Sequence, residues 1–431
     1  MLFPESKTVP ININTHILPT TKFKTIIITV FIQQILDKEL AARTALIPAV
    51  LERGTSGCPT YRDLRKRLEE LYGAELTADV SKKGEKHVLT FSLEVINDKF
   101  VPGEKLLRRG LELLKDVLAD PLLENGTFKS SYVEQEKRQL EKEINSLIND
   151  KISYALERCI QNMCYSERFG VFKYGAVSDL EKITPETLYQ YYVNLLAENP
   201  IDIVIVGEVE PEKTYSLVED IFSFSRSSRL KEIPPAEAKN VPAEIRYFQE
   251  KLPVNQGKLN LGYRTNFAYS DDEYLALLFY NGILGGFPHS KLFQNVREKA
   301  SLAYYVFSRL EKHKGIQLIG SGIDVENYEL ALEIIEKQVE LVRHGEISQE
   351  EMENTRIGLI NQYKTIGDSP YNLVNFFLDG LVGESAKGLE YYIEGLQSVK
   401  KDDVVEIAQK VYLDTVYFLR SPDGEERGET V

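Results

Sequence analysis

Cysteine is scarce: only Cys58, Cys159 and Cys164 occur in 431 residues. That excludes a disulfide framework and a C-x-x-C zinc ribbon, and all three read as buried or bland. Histidine is equally sparse. The five, His16, His87, His289, His313 and His344, include no two spaced as a helical pair, so the usual two-imidazole zinc helix is missing. No apolar run approaches the roughly 18 residues that cross a bilayer. The longest candidate, Thr25 to Ile32, is far too short, and Met1 to Glu5 opens no signal peptide, which makes the cytoplasm the expected location. A block of lysine and arginine is also absent. With a formal net charge of -14 the chain would repel a phosphate backbone, which argues against nucleic acid and leaves a peptide or protein as the expected partner.

What is present is a chain with 43% hydrophobic residues, long enough for two or more domains of about 100 to 200 residues each. Ile11 and Ile13 alternate with asparagines, and Lys22 to Gln33 is rich in β-branched residues, so the N-terminus reads as a strand pair. A helix is expected from Asp37 to about Arg53. Pro48 inside it costs about 3 kcal/mol in a regular helix and predicts a kink or break. Leu64, Leu68 and Leu71 mark a second helix, followed by strands at Glu75 to Val80 and His87 to Ile96 and a helix at Leu106 to Leu118. Ser131 to about Gln161 reads as one long charged helix that sets Glu136 and Glu143 two turns apart on nearly the same face. Thr184-Pro185 starts another helix, and Ile201 to Val206 is a fully apolar strand.

Residues 223–242 are polar, contain prolines and lack periodicity, so they read as a linker between residues 1–222 and 243–431. Strands at Glu244 to Gln249 and Lys258 to Tyr263 follow, then a capping box at Ser270 to Glu273, strands at Leu302 to Arg309 and Ile316 to Ile323, and a helix near Glu326 to Arg343. A second capping box spans Ser348 to Glu351, a strand is expected at Thr415 to Leu419, and Pro422 to Val431 reads as a frayed tail. The order of elements repeats loosely in the two halves. The expected fold class is therefore α+β, two tandem domains of similar fold, each a mainly antiparallel sheet with helices packed on one face.

The densest chemistry lies at Leu284-Gly285-Gly286, Ser290-Lys291-Leu292-Phe293, Val296-Arg297-Glu298-Lys299 and Leu302-Ala303-Tyr304. This run resembles the C-terminal half of the pitrilysin or insulinase-like zinc peptidases, which include the mitochondrial processing peptidases. The tandem plan, Arg53-Gly54-Thr55 and Tyr72-Gly73-Ala74 extend the resemblance over nearly the whole chain, toward the non-zinc-binding bacterial members. Active relatives carry H-x-x-E-H on one helix: two imidazoles bind zinc, a later glutamate is the third ligand, and the motif's own glutamate activates water. Counted from Gly54-Thr55, that motif falls on Ala45-Leu46-Ile47-Pro48-Ala49. Ala45, Pro48 and Ala49 offer no ligand and no base. Glu143, with Glu136 as companion, stands on the helix where the resemblance puts the distal ligand, although its separation from Ala49 exceeds the family norm and implies an insertion. Without the resemblance both glutamates read as the solvated face of a charged helix.

The resemblance also assigns Arg297 and Tyr304 to substrate and oxyanion contacts, donors suited to developing negative charge. Taken singly, Arg297 reads as a surface ion pair with Glu298, and Tyr304 as a core aromatic beside Tyr305. Gly285 and Gly286 suit a substrate-facing loop through close backbone approach or positive φ. His289 reads as a solvent-exposed loop residue, and Ser290 as a helix cap rather than a nucleophile. The implied function is the non-zinc-binding subunit of a heteromeric zinc metallopeptidase, inactive alone. No cofactor is bound by this chain; zinc is expected on a paralogous partner subunit, the substrate is a peptide or unfolded protein, and a homodimer is allowed for the isolated chain. The alternative is a catalytically inert scaffold or peptide-binding protein.

Overall fold

Runs of β-branched residues build the first sheet. The computed structural model describes residues 6–9, 12–236, 238 and 241–422. Ile11, linker positions 237, 239 and 240, and the expected tail after Pro422 lie outside the described residues. Strands β1 (Ser6–Val9), β2 (Ile13–Pro19) and β3 (Thr25–Ile35) precede helices α1 (Ala41–Leu51) and α2 (Tyr61–Glu69). Strands β4 (Glu75–Lys83) and β5 (Lys86–Ile96), helix α3 (Leu106–Ala119) and the short hairpin β6 (Leu123–Glu124) and β7 (Thr127–Phe128) follow. Helices α4 (Ser130–Ser146), α5 (Lys151–Met163), α6 (Val177–Leu180) and α7 (Pro185–Glu198) lead to β8 (Ile201–Gly207) and α8 (Pro211–Ile221). The sheet order is β1-β2-β8-β3-β5-β4. β2 and β3 therefore do not pair directly as expected. β8, buried along its length, takes the interior place between them because an apolar strand has two faces to bury.

The second half repeats the plan. Strands β9 (Arg246–Lys251), β10 (Gly257–Arg264), β11 (Ala303–Glu311), β12 (Ile316–Ile323) and β13 (Tyr412–Arg420) form a sheet ordered β11-β12-β10-β13-β9. Reversed, that order matches β2-β8-β3-β5-β4 strand for strand, and the one parallel pair in each, β2 with β8 and β9 with β13, falls at the same place. The associated helices are α9 (Tyr274–Asn281), α10 (Tyr328–Arg343), α11 (Gln349–Ile366), α12 (Pro370–Val382), α13 (Leu389–Ser398) and α14 (Lys401–Gln409). In each half most helices pack on one sheet face: Leu46, Leu111 and Leu114 join Ile28 and Phe91 in the first core, and Leu277, Ile335 and Ile407 join Leu261 and Ile319 in the second.

Three local expectations are corrected. Helix α1 runs through Pro48 without a break: all but Arg43 and Ala49 of its residues are buried, and the Glu52 N–H still bonds the Pro48 carbonyl at 3.1 Å. Packing against α4, β4 and β5 offsets the missing donor. The long helix of 131–161 is two helices. Asp150 breaks it by accepting from the Ile152 and Ser153 amides, both at 3.2 Å, a cap inside an otherwise helical run. The Ser270 capping box does not form either, because Asp271 instead accepts from the Ala268 amide at 2.9 Å and α9 begins only at Tyr274. The box at Ser348 and Glu351 does form.

The elbow at Asp150 decides how the halves join. It sends α5 across to the second sheet, where Leu156, Cys159, Ile160 and Met163 cover Ile316, Leu318, Tyr417 and Leu419. In return α12 crosses to the first sheet and lays Leu373, Val374 and Phe377 on Ile27, Phe31 and Val204. Each half thus covers the other's remaining sheet face. Buried charges bridge the same seam: Arg264 donates to Glu167 at 2.6 Å and to Asp414 at 2.9 Å, and Lys314 reaches Glu167 at 2.7 Å and Glu85 at 2.6 Å.

Candidate functional site

The helix that would hold a metal holds none of the required atoms. Ala45 and Pro48 are buried, and Ala49 is half-buried, on α1. Their side chains are hydrocarbon, so the donor set does not fit zinc, and no group of three or more His, Cys, Asp or Glu side chains that could hold a metal occurs among the described residues. The two glutamates of α4 separate. Glu136 is buried and ion-paired with Arg53, one turn beyond Ala49, rather than solvated; Glu143, exposed in the last turn, accepts from Gln139 at 3.2 Å. Burial pushes the neighbouring Glu52 carboxyl up to about 7, Glu136 and Asp79 adding to the shift while Arg65 and the Ala78 N–H oppose it.

The histidines are dispersed among structural contacts. His16 bonds Asp202 at 2.9 Å, His313 bonds Asp379 at 3.0 Å and His344 bonds the Glu340 carbonyl at 2.8 Å. His289 is not the solvent-exposed loop residue expected: it is half-buried, stacks on Phe287 at 5.1 Å and bonds Thr355 at 3.1 Å. The Phe287-Pro288-His289 segment is thereby tied to α11. Ser290 caps as expected, accepting from the Phe293 amide.

The C-terminal candidates gather along β11. Gly282–Gly286 and Phe293–Lys299 are both π-helical turns, a rare conformation that widens the helix by one residue. Neither Gly285 nor Gly286 adopts positive φ, so that half of the expectation falls away. Close approach explains Gly285, where a Cβ would lie 2.7 Å from Ser308 Cβ and 2.9 Å from Leu292 Cδ1. Arg297 is exposed, its guanidinium over the Phe293 ring at 4.6 Å and its Nε 3.9 Å from the Glu298 carboxylate. Tyr304 is not a core aromatic: it is 59% exposed. The reason is a bulge, since Ala303 faces Ile323 and Tyr305 faces Gly322, leaving Tyr304 as the extra residue. Tyr305 takes the packed position, against Gly322 and stacked on Phe307. The Leu302 N–H bonds the Val296 carbonyl at 3.1 Å, and Ser301 turns the chain at φ 53°, so Arg297 and Tyr304 stand on adjoining elements of one tight corner. The guanidinium and phenol make no hydrogen bond to each other.

Sequence reasoning missed an open cavity of about 630 Å³ beyond Gly286, lined from α9, β11, α11 and α12. Its lining includes Tyr269, Tyr274, Asn281, Lys312, Tyr363 and Asp379. Asp379 is a hub: it accepts from Lys83 of the first half at 2.7 Å and from His313 and Lys312 of the second. Burial works to raise its pKa, but the His313 hydrogen bond and the Lys312 and Lys83 charges outweigh that and hold it well below the usual carboxylate range. Helices α9, α11 and α12, the loop before α9, the turn after β11 and β4 supply these residues, so no spacing could mark them. The one available signal was polar amides, Asn281, Asn372 and Asn375, set in otherwise apolar helices.

Comparison with known proteins agrees with this architecture. The peptidase M16 inactive domain matches residues 182–359, a stretch that contains the whole Gly285 to Tyr304 corner. The probable inactive metalloprotease YmfF of Bacillus subtilis (strain 168) is 38% identical over 411 residues, 95% of this chain and 96% of that protein. The chain therefore belongs to the M16 peptidase family. A conserved protein from Enterococcus faecalis V583 superimposes with a TM-score of 0.88 at 30% identity, over 98% of this chain and 100% of that one. A protease from Helicobacter pylori, 18% identical with a TM-score of 0.81 over 97% and 100% of the two chains, shares the fold. Among the described residues no helix is long and apolar enough to cross a membrane.

Proposed function

We propose that this chain is the non-zinc subunit of a heteromeric M16 metallopeptidase, with residues 1–222 and 243–431 as its two peptidase-like units joined by 223–242. A paralogous subunit would hold the zinc and would supply the activated water for peptide-bond hydrolysis. Arg297 and Tyr304 donate to the substrate carbonyl as it gains negative charge, and Gly285 and Gly286 shape the wall beside them. The substrate is a flexible peptide or unfolded protein held between the two chains. Free cysteines at Cys58, Cys159 and Cys164 suit work in the cytoplasm.

The observation that carries this reading is the exposure of Arg297 and Tyr304 on one corner, with Tyr304 put outside the core by a bulge. Bulges and π-turns interrupt regular pairing and re-aim side chains, and both occur here between Gly282 and Tyr305. The test mixes this chain with its zinc-bearing paralogue and follows cleavage of an unfolded peptide. Activity should require both chains, and Arg297→Ala should lower kcat/KM by about 100-fold. Proteolysis that is independent of this chain, or unchanged by Arg297→Ala, would sink the shared-site reading. The second reading, an inert scaffold or peptide-binding protein, draws on the loss of all three ligand and base positions at Ala45, Pro48 and Ala49, and on the name of the Bacillus relative. It expects a stable complex whose properties do not change in Tyr304→Phe.

A further inference from the structure

The cavity between α9, β11, α11 and α12 has an uneven chemistry. Its interior is aromatic, with Tyr269 and Tyr274 buried in its wall. Its rim carries the exposed amides of Gln362, Asn372 and Asn375, whose side chains make no hydrogen bond among the described residues. A fourth amide is oriented: Asn281 Oδ1 accepts from Ser308 Oγ at 2.7 Å, and that hydroxyl accepts from Gln317 Nε2 at 2.9 Å. With its oxygen so engaged, Asn281 has its NH2 group left to donate.

Charge points the same way. Two cations line the cavity, the exposed Arg309, which pairs with Glu311 at 3.3 Å, and Lys312, which pairs with the one lining carboxylate, Asp379. That carboxylate is already occupied by Lys83, Lys312 and His313, so an incoming ammonium would find no free acceptor of full charge. An incoming carboxylate would meet the N–H donors that Arg309 and Lys312 have left beyond these pairs, together with the amide donors. At about 630 Å³ the space lies within the range of small-ligand sites and accommodates two or three residues of a peptide.

We infer that this cavity anchors the C-terminal carboxylate of a peptide, with the last side chain against Tyr269 and Tyr274. The inference deepens the peptide-holding reading and rests on it. It is tested on the full chain alone by calorimetric titration of an N-acetylated eight-residue Gly/Ser peptide ending in phenylalanine. Amidation of the terminal carboxylate should weaken binding at least about tenfold, the loss of one charge-assisted contact set. Asn375→Asp puts a like charge on the exposed rim, and Arg309→Gln removes an exposed cation. Each should weaken the acid peptide severalfold and leave the amide form and the thermal midpoint unchanged. A peptide with a free amino terminus should bind no tighter, and N-acetylphenylalanine should bind much more weakly than the eight-residue peptide. Equal binding of acid and amide, a requirement for the free amino terminus, or N-acetylphenylalanine binding as tightly as the peptide overturns the inference. The two readings fail separately. If paired-chain proteolysis needs Arg297 while acid and amide bind alike, only the carboxylate anchor is wrong; if acid-specific binding holds while proteolysis ignores Arg297, only the shared site is wrong.

Discussion

Arg297 and Tyr304 escape the core for different physical reasons. Arg297 lies on a π-turn whose buried side is taken by Val296, and Tyr304 occupies the unpaired place of a bulge. Other single residues carry the pH response of the fold. Burial, then the charges of Lys173 and Lys82, lower the His87 imidazole to a pKa of about 3. The unfolded chain binds this proton near pH 6.5 and the folded chain does not, so the unfolded state holds more protons between those values and stability falls as pH drops. Glu52 acts in the opposite sense: its folded pKa of about 7 exceeds the ordinary carboxyl value of 4.5, so the folded state gains its proton first and this group adds stability over the same descent. His87→Leu should therefore reduce the loss of stability between pH 7.5 and 5 by about 2 kcal/mol relative to the parent, read from urea unfolding at both values. An unchanged pH dependence would show that His87 is protonated or solvated in the folded protein.

At the scale of elements, the contact of the first π-turn with β11 depends on Gly285. Gly285→Ala would force a methyl against Ser308 and Leu292 and should cost about 1 to 3 kcal/mol in chemical denaturation, with a smaller effect if the turn can slide. The α4–α5 elbow rests on Asp150, and Asp150→Ala should cost about 1 kcal/mol and lower the protection of the first turn of α5 from hydrogen exchange. Most strands were legible because their signal is local: Thr25–Ile35 and Ile201–Gly207 announce themselves by β-branched residues. The elbow was not, since Asp150 in a charged segment looks like any surface acid until its amide partners are seen. Pro48 misled in the other direction, because its cost is visible in sequence and the burial that offsets it is not. Arg297 and Tyr304 were singled out by motif alone, and the bulge that exposes Tyr304 depends on its pairing with β12. The cavity was not legible at all, being assembled from elements that lie up to a hundred residues apart.

For the whole molecule, the reciprocal exchange of α5 and α12 makes the two sheets one cooperative body. Glu167 is the shared partner of Arg264 and Lys314, each only 2% exposed, so Glu167→Ala leaves two buried cations short of a partner. The expected cost is about 3 kcal/mol or more, with unfolding still in a single transition; separate melting of the halves would contradict the interlocked packing. On the proposed reading, the metal that Arg297 and Tyr304 serve is held by another chain. The most direct measurement is cleavage of an unfolded peptide by the purified chain, by its zinc-bearing paralogue, and by the two together, with Arg297→Ala in the mixture. The account predicts activity only in the mixture and a loss of about 100-fold with the variant. Full activity of the paralogue alone, or a mixture indifferent to Arg297, would contradict it.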